Sequence, residues 1–455
     1  MAQASPPPSQ SPPAPDPDLQ TGLQYLKAGW FDRAEPLFRA ALGRHGDRPD
    51  ILHFLAVCLA QRGAVVEAEG LWRRALARDP KEPMLSYNLA LAVRAQGKLD
   101  DAARYFRDTI RNAPAHVEAR LGLASVLMDL GRFAAAEREL GEFVTNVDEA
   151  IHKGGEVAEK LKPLQARARN MLGYVLYRLG HHSPAIEMLD LALHDAGNDG
   201  ARRGQILGDR ALCLGALGHH DEAIAGAQQA LEASPDSAAV RHIMGYVLQS
   251  AGKPAEAIPF IEQALQRDPG FTAALRTLAL ARQSLGQNAE AEALLLQALE
   301  KTPMNVDVVL PLSFLRITAK RFDEALAVLQ PYLQAAPTDP RALNNQALAL
   351  RGLKRFDEAR RALKKAVKQA PEDPFLLTNF GAVLVDLGRA AEAKPLHEKA
   401  LRLLPGDSRL LGHFGICLAA LGEADRAREA LDTALAADPN NAEALDALVK
   451  LTAAN

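Results

Sequence analysis

Aromatic residues make up only 5% of this 455-residue chain, with 2 tryptophans and 7 tyrosines. Its apolar content is nevertheless 48%, so burial falls to alanine and leucine, a composition suited to helices packed closely through small side chains. No stretch approaches 18 consecutive apolar residues, which excludes a membrane-spanning helix. The formal net charge of −3 supplies no electrostatic reason to expect nucleic acid or an anionic membrane as the main partner. Catalytic signatures are missing as well: there is no Walker A loop, nucleophile elbow, HExxH or Cys-x-x-Cys. No catalytic residue, cofactor or bound metal is therefore expected.

At 455 residues the chain exceeds what one compact core supports, so several domains or a repeat array are expected. Residues 1–17, MAQASPPPSQSPPAPDP, contain neither the apolar core of a signal peptide nor the basic amphipathic pattern of a transit peptide. They read as a disordered, polyproline-leaning tail, or alternatively as a docking motif for a proline-reading partner. The cytoplasm is the expected compartment.

What the chain does contain is a period. KRFDEA occupies residues 320–325 and again 354–359. Stepping its alanine by 34 reaches Ala393 and Ala427 in one direction and Ala291, Ala257 and Ala223 in the other. A second run holds Ala34, Ala68, Ala102 and Ala136, with Ala185 between the two. Proline recurs with the same step from Pro235 to Pro439, and glycine at Gly29, Gly63, Gly97 and Gly131. Twelve residues before each alanine stands another small residue: Gly22, Ala56, Ala90, Ala124, Gly173, Ala211, Gly245, Ala279, Ser313, Ala347, Gly381 or Gly415.

Each frame thus reads as a helix, a short turn, a second helix and a proline before the next frame. The two small columns mark where paired helices approach most closely, and a leucine at Ala257 would overpack that contact by about 1–3 kcal/mol. A lone hairpin cannot bury its apolar face, so neighbouring hairpins must stack on it.

This pattern resembles the tetratricopeptide repeat family, with its 34-residue period and Leu-Gly…Tyr…Ala…Phe…Pro columns, seen here at Gly22, Tyr25, Ala34 and Phe38 and at Leu172, Gly173 and Ala185. The resemblance spans residues 15–441, about twelve frames. It implies an all-α, right-handed superhelical solenoid of helix hairpins, with first helices lining a concave groove and second helices outside. Residues 442–455 read as a capping helix, with Asp446 and Lys450 on its wet side.

Two insertions interrupt the frame, one at 144–165 and a shorter one near 200–204. The first reads as an extension of an outer helix plus a small hairpin, and offers a partner-specific projection as its functional alternative. The ninth frame carries Pro311 and Pro331 within helical runs, and Lys320 where glycine is usual. The solenoid is accordingly expected to bend or loosen near 143–165 and 306–335. This separates frames at 15–143, 166–305 and 340–441, with 306–339 as an irregular repeat.

Cys58, Cys213 and Cys417 share one column and read as small core side chains too distant to pair. His181, His182, His219 and His220 fall at equivalent turns and read as exposed turn residues rather than a metal site. The basic run at 351–369 places Arg360, Lys364 and Lys368 on an outer, solvated face, or on a patch for an acidic partner.

Repeat arrays bind through their inner helices. By period, the groove candidates are Tyr87, Asn88 and Arg94; Asn170, Tyr174 and Tyr177; His242 and Tyr246; and Arg341, Asn344, Asn345, Arg351, Thr378 and Asn379. Asparagine donates and accepts together, so a row of amides can hold the backbone of an extended peptide without reading its sequence. Asn88, Asn345 and Asn379 share one column, and the stretch 343–359 is similar to the asparagine ladder in the repeat domain of O-GlcNAc transferases. Only three frames keep that asparagine, which weakens the ladder. The lysine and asparagine columns of chaperone-adaptor repeats are filled by Leu19, Leu23, His53 and Val57.

The expectation is a non-enzymatic scaffold that holds protein or peptide partners in its groove. Two other readings stand beside it: a regulatory or targeting subunit of an enzyme complex, such as a glycosyltransferase or GTPase partner, and a homo-oligomeric, self-assembling array. The Ala- and Arg-rich composition fits a bacterial source.

Overall fold

The computed structural model describes residues 16–154, 156–197 and 199–453, and every regular element among them is a helix. The chain divides into two compact units, residues 1–236 and 237–455. In the first unit, α1 (Pro17–Lys27) pairs with α2 (Phe31–His45), α3 (Pro49–Gln61) with α4 (Val65–Arg78), and α5 (Pro83–Ala95) with α6 (Leu99–Asn112). There α7 (Val117–Asp129) pairs with α8 (Phe133–Lys153), α9 (Glu156–Arg178) with α10 (His182–Asp195), and α11 (Gly200–Ala216) with α12 (His220–Ala233). In the second unit, α13 (Ala238–Ser250) pairs with α14 (Pro254–Arg267), α15 (Thr272–Ser284) with α16 (Asn288–Lys301), and α17 (Val306–Thr318) with α18 (Phe322–Ala335). Then come α19 (Pro340–Gly352) with α20 (Phe356–Gln369), α21 (Pro374–Asp386) with α22 (Ala390–Leu403), and α23 (Ser408–Ala420) with α24 (Ala424–Ala437). A last helix, α25 (Ala442–Ala453), packs on α23 and α24 and covers Leu431 and Ala434.

Local chemistry sets the helix ends. At α19, Asp339 Oδ1 accepts from the backbone N–H of Arg341 (2.9 Å) and Ala342 (3.1 Å). Pro340 fills the first helical position, where its missing donor costs nothing. Asp373 and Pro374 repeat the device at α21. The turn that follows a first helix needs a left-handed residue, and Gly252 supplies it at φ 74°. Lys320 and Lys354 take the same conformation at φ 59° without being glycine.

Packing follows the two small columns. All twelve frame alanines, Ala34 to Ala427, have no exposed surface, and the small residue twelve positions earlier is buried in every frame. At Gly245 a β-carbon would lie 2.3 Å from Ile261 Cγ1, and at Gly173 it would lie 2.6 Å from Leu189 Cγ. Large side chains such as Phe38, Phe106 and Leu329 then close each hairpin, each contributing about 1.5–3 kcal/mol by burial.

The interruptions resolve differently from expectation in places. Asp16 and Pro17 belong to α1 rather than to the tail, because Asp16 caps it through Asp18 N (2.9 Å) and Leu19 N (3.3 Å). The remainder of the expected tail, residues 1–15, lies outside the described residues. The 144–165 insertion builds no separate small hairpin; its residues lengthen α8 to 21 residues and α9 to 23, with Gly154 at φ 73° ending α8. Arg169 of α9 joins Asp148 of α8 at 2.9 Å and also Asp195 of α10, and the buried core runs unbroken from Ala34 to Cys213. Pro311 and Pro331 sit inside α17 and α18, which continue through them.

Within each unit the first helices of neighbouring hairpins also touch one another, as α7 does α9 and as α17, α19, α21, α23 and α25 do in succession. The second helices have no comparable row of contacts. A stack in which only one set of helices meets its own kind curves towards that set, so the first helices form the inner face of each unit.

Candidate functional site

The inner face of the second unit carries a pocket of about 420 Å³. Most of its lining comes from first helices: Phe314 from α17, Asn344, Leu348 and Arg351 from α19, Phe375, Thr378 and Asn379 from α21, and Arg409, Leu410 and His413 from α23. Asp438 at the end of α24 and Asn441, Ala442 and Glu443 at the start of α25 close its far end. The capping helix is thus part of the site.

The pocket mixes apolar and polar recognition elements. Phe314 and Phe375 keep 46% and 40% of their surface exposed, unusual for phenylalanine in a chain with so few aromatics. The Arg409 guanidinium lies 4.8 Å from the Phe375 ring centre. Asn379 Nδ2 donates to Asn344 Oδ1 at 2.8 Å, which leaves the Asn344 amide N–H groups and the Asn379 carbonyl directed to other partners. Thr378 is 3% exposed, and its hydroxyl has no hydrogen-bond partner in the protein. Arg351 is held by Asp386, and His413 lies 3.3 Å from Glu443.

Four of the sequence candidates, Asn344, Arg351, Thr378 and Asn379, therefore meet in one pocket. Two neighbours in sequence do not line it. Arg341 is exposed, 3.6 Å from Asp339. Asn345 is only 8% exposed and spends its amide between helices, donating to Leu310 O at 3.2 Å and Ser313 Oγ at 3.0 Å. Asn88 donates to Met84 O of its own helix at 2.8 Å. The amide column is thus already partnered at all three of its positions, and only Asn379 presents itself to a pocket.

The other candidates have local roles. Arg94 reaches Ser125 (2.8 Å) and Asp129 (3.0 Å), and the Tyr87 ring packs at a tilt against His116, centres 4.7 Å apart. Tyr174 accepts from Arg178 at 3.0 Å and lies 6.4 Å from Tyr177, whose ring packs on His182 at 5.6 Å. The Asn170 carbonyl oxygen is buried without a partner. His242 sits between Tyr246 (6.4 Å) and Phe271 (4.8 Å) and contacts Thr277 Oγ1 at 2.9 Å; burial pushes its imidazole down to about 4.

Several of these contacts join residues 35 apart, one more than the period: Arg94 to Asp129, Arg351 to Asp386, Asn344 to Asn379 and His242 to Thr277. They are diagonal ties between successive first helices, which a column of equivalent positions does not show. The pocket residues absent from the sequence reading were reachable by its own period. Stepping 34 from Arg341 leads to Phe375 and Arg409, and from Asn379 to His413.

Elsewhere the three cysteines are free thiols buried in the core, their thiols pushed up to about 11 for Cys58 and Cys417 and about 12 for Cys213 by burial. Among the described residues no three His, Cys, Asp or Glu side chains converge as metal ligands. Lys364 and Lys368 are exposed on α20, whereas Arg360 is half-buried and pairs with Asp357 at 3.6 Å.

Comparison with known proteins follows the same lines. Models of the tetratricopeptide repeat match residues 19–83, 87–142 and 315–374, residues 248–310 and 384–451, and residues 173–269. No curated protein matches the chain. Among solved structures, the chain is similar to the APC/C hetero-tetramer Cut9–Hcn1 at 15% identity, covering 96% of this chain and 97% of that one with a TM-score of 0.49. A tetratricopeptide repeat protein from Parabacteroides merdae shares 20% identity over 55% of this chain and 98% of its own, with a TM-score of 0.46. Yeast Tom70 shares 18% identity over 96% of this chain and 94% of its own, with a TM-score of 0.43.

Proposed function

The chain belongs to the tetratricopeptide repeat family, and from that premise we propose that it is a non-enzymatic scaffold of twelve hairpins that holds a partner polypeptide against the inner face of its second unit. Such repeats generally serve protein interaction, and their stacked inner helices offer a long surface to one extended or helical segment. The observation that carries the reading is the convergence of four successive first helices and the capping helix on one pocket, with two exposed phenyl rings and a buried, unpartnered Thr378 hydroxyl. The phenyl rings would seat an apolar side chain, while the Asn344–Asn379 amide pair would hydrogen-bond the adjoining backbone. Aromatic and amide groups of this kind suit binding, which is the role given to the pocket here. The cytoplasm is the compartment we assign to it.

The test is quantitative co-purification from the native host with the full chain and with Asn344→Ala/Thr378→Val/Asn379→Ala. The triple variant should lose at least one partner at unchanged fold, checked by circular dichroism, whereas Lys364→Ala/Lys368→Ala on the outer face of α20 should keep it. Asn345→Ala separates binding from packing: it should destabilise the α17–α19 contact by about 1–3 kcal/mol, because Leu310 O and Ser313 lose a buried donor. Identical partner sets for wild type and the triple variant would remove the pocket from consideration.

A further inference from the structure

Beneath the pocket lies a residue that the repeat pattern does not explain. Four positions after the frame alanine most hairpins carry a large apolar side chain, as at Leu329, Leu363 and Leu431, each with no exposed surface, and one carries Ala227. In α22 this position is His397, which is 0% exposed. Its ring lies directly over Gly381 of α21, where a β-carbon would stand 2.4 Å from Nε2. Neither ring nitrogen has a hydrogen-bond partner in the protein. Leucine fits the same place in the hairpins on either side, so packing alone does not call for an imidazole.

The surroundings give that imidazole a consequence. His397 stacks on His413 of α23, ring centres 6.5 Å apart and planes 13° from parallel, and His413 is itself a wall of the pocket. Charged groups reach the pair from each packed element: Asp386 of α21, Arg351 of α19, Arg409 of α23 and Glu443 of α25, all acting on His413, while His413 is the one titratable group acting on His397. No carboxylate is among the groups acting on His397, so a proton taken up there would have no anionic partner.

We propose that the His397–His413 pair is a proton-sensitive latch for the overlying pocket, keeping α21, α22 and α23 packed while both imidazoles are neutral and loosening their contact in mild acid. This rests on the reading of the pocket as the partner-binding surface only for its functional consequence. Burial, with a smaller contribution from His413, pushes His397 down to about 3, and burial pushes His413 down even though Glu443 and Asp386 oppose it. A base depressed in the folded state stabilises it fully above its unfolded value, near 6.5, and progressively less as pH falls towards the folded value. A single such histidine shifts the opening equilibrium about tenfold between pH 7.5 and 5.5, since only the opened state takes up the proton.

Native-state hydrogen exchange on the full chain, corrected for intrinsic rates, reads this directly and needs no partner. The opening constant of α21–α23 amides should rise about tenfold or more from pH 7.5 to 5.5, while α17 and α18, which carry no histidine, should stay flat. In His397→Leu the response should shrink to the share of His413, and His413→Phe/His397→Leu should abolish it. A flat wild-type profile, or an undiminished response in His397→Leu, would overturn the latch. A partner captured through the pocket should bind wild type more weakly at pH 5.5 than at pH 7.5, and the loss should be smaller in His397→Leu. Equal affinity of wild type at the two pH values would overturn the gating role while leaving the pocket itself intact.

Discussion

The paired small columns can be tested most sharply at Gly245. A β-carbon there would sit 2.3 Å from Ile261 Cγ1, 3.1 Å from Cδ1 and 3.2 Å from the Ala257 carbonyl oxygen. Ordinary carbon contacts lie at about 3.5–4.0 Å, so α13 and α14 must separate by roughly 1 Å, or Ile261 must leave its rotamer. Overpacking of this kind costs about 1–3 kcal/mol, and the gain in helix propensity from glycine to alanine returns about 1 kcal/mol. Gly245→Ala should therefore lower the stability of this hairpin by up to about 2 kcal/mol. Ile261→Ala alone should cost about 2–5 kcal/mol by leaving a cavity. In the double variant the clash is gone, so its loss should fall short of the summed singles by about 1–3 kcal/mol. Stacked hairpins open locally rather than all at once, so the readout is the opening free energy of α13 and α14 amides by hydrogen exchange. Additivity within about 0.5 kcal/mol would show that the helices do not meet at this column, and would refute the account of why it is small.

Lys320→Gly and Lys354→Gly should each stabilise the chain by roughly 0.5–1 kcal/mol in thermal or urea unfolding, because both lysines hold left-handed backbone at φ 59° that other frames give to glycine. No gain would mean that the lysine side chains make compensating contacts. Asp209 is 5% exposed, and burial pushes its carboxyl up to about 7 against the opposing Gln205 hydrogen bond. The unfolded chain ionises near pH 4 and the folded one only near 7, so this group removes stability as pH rises through that window. Asp209→Asn should accordingly be more stable than wild type at pH 7.5 and no more stable at pH 4, and an equal gain at both values would contradict the assignment.

Much of this molecule is local and repeats, and that part was legible in the residue order. A period of 34 obliges each hairpin to bury the same face, so the alanine columns and the glycines of the turns follow from spacing alone, as does the capping role of α25. Asn344, Arg351, Thr378 and Asn379 could be placed on the inner face because first helices keep their phase from frame to frame. Their neighbour Asn345 shares that phase closely enough to be grouped with them, yet its amide is consumed between α17 and α19. What tertiary structure alone decided is how successive frames are offset. The diagonal ties 35 residues apart, the meeting of Phe314, Phe375 and Arg409 with α25 around one cavity, and the stacking of His397 on His413 all depend on the angle and distance between neighbouring hairpins. A column of equivalent positions records which side chains face the same way. Only the packed stack determines which of them come within bonding distance.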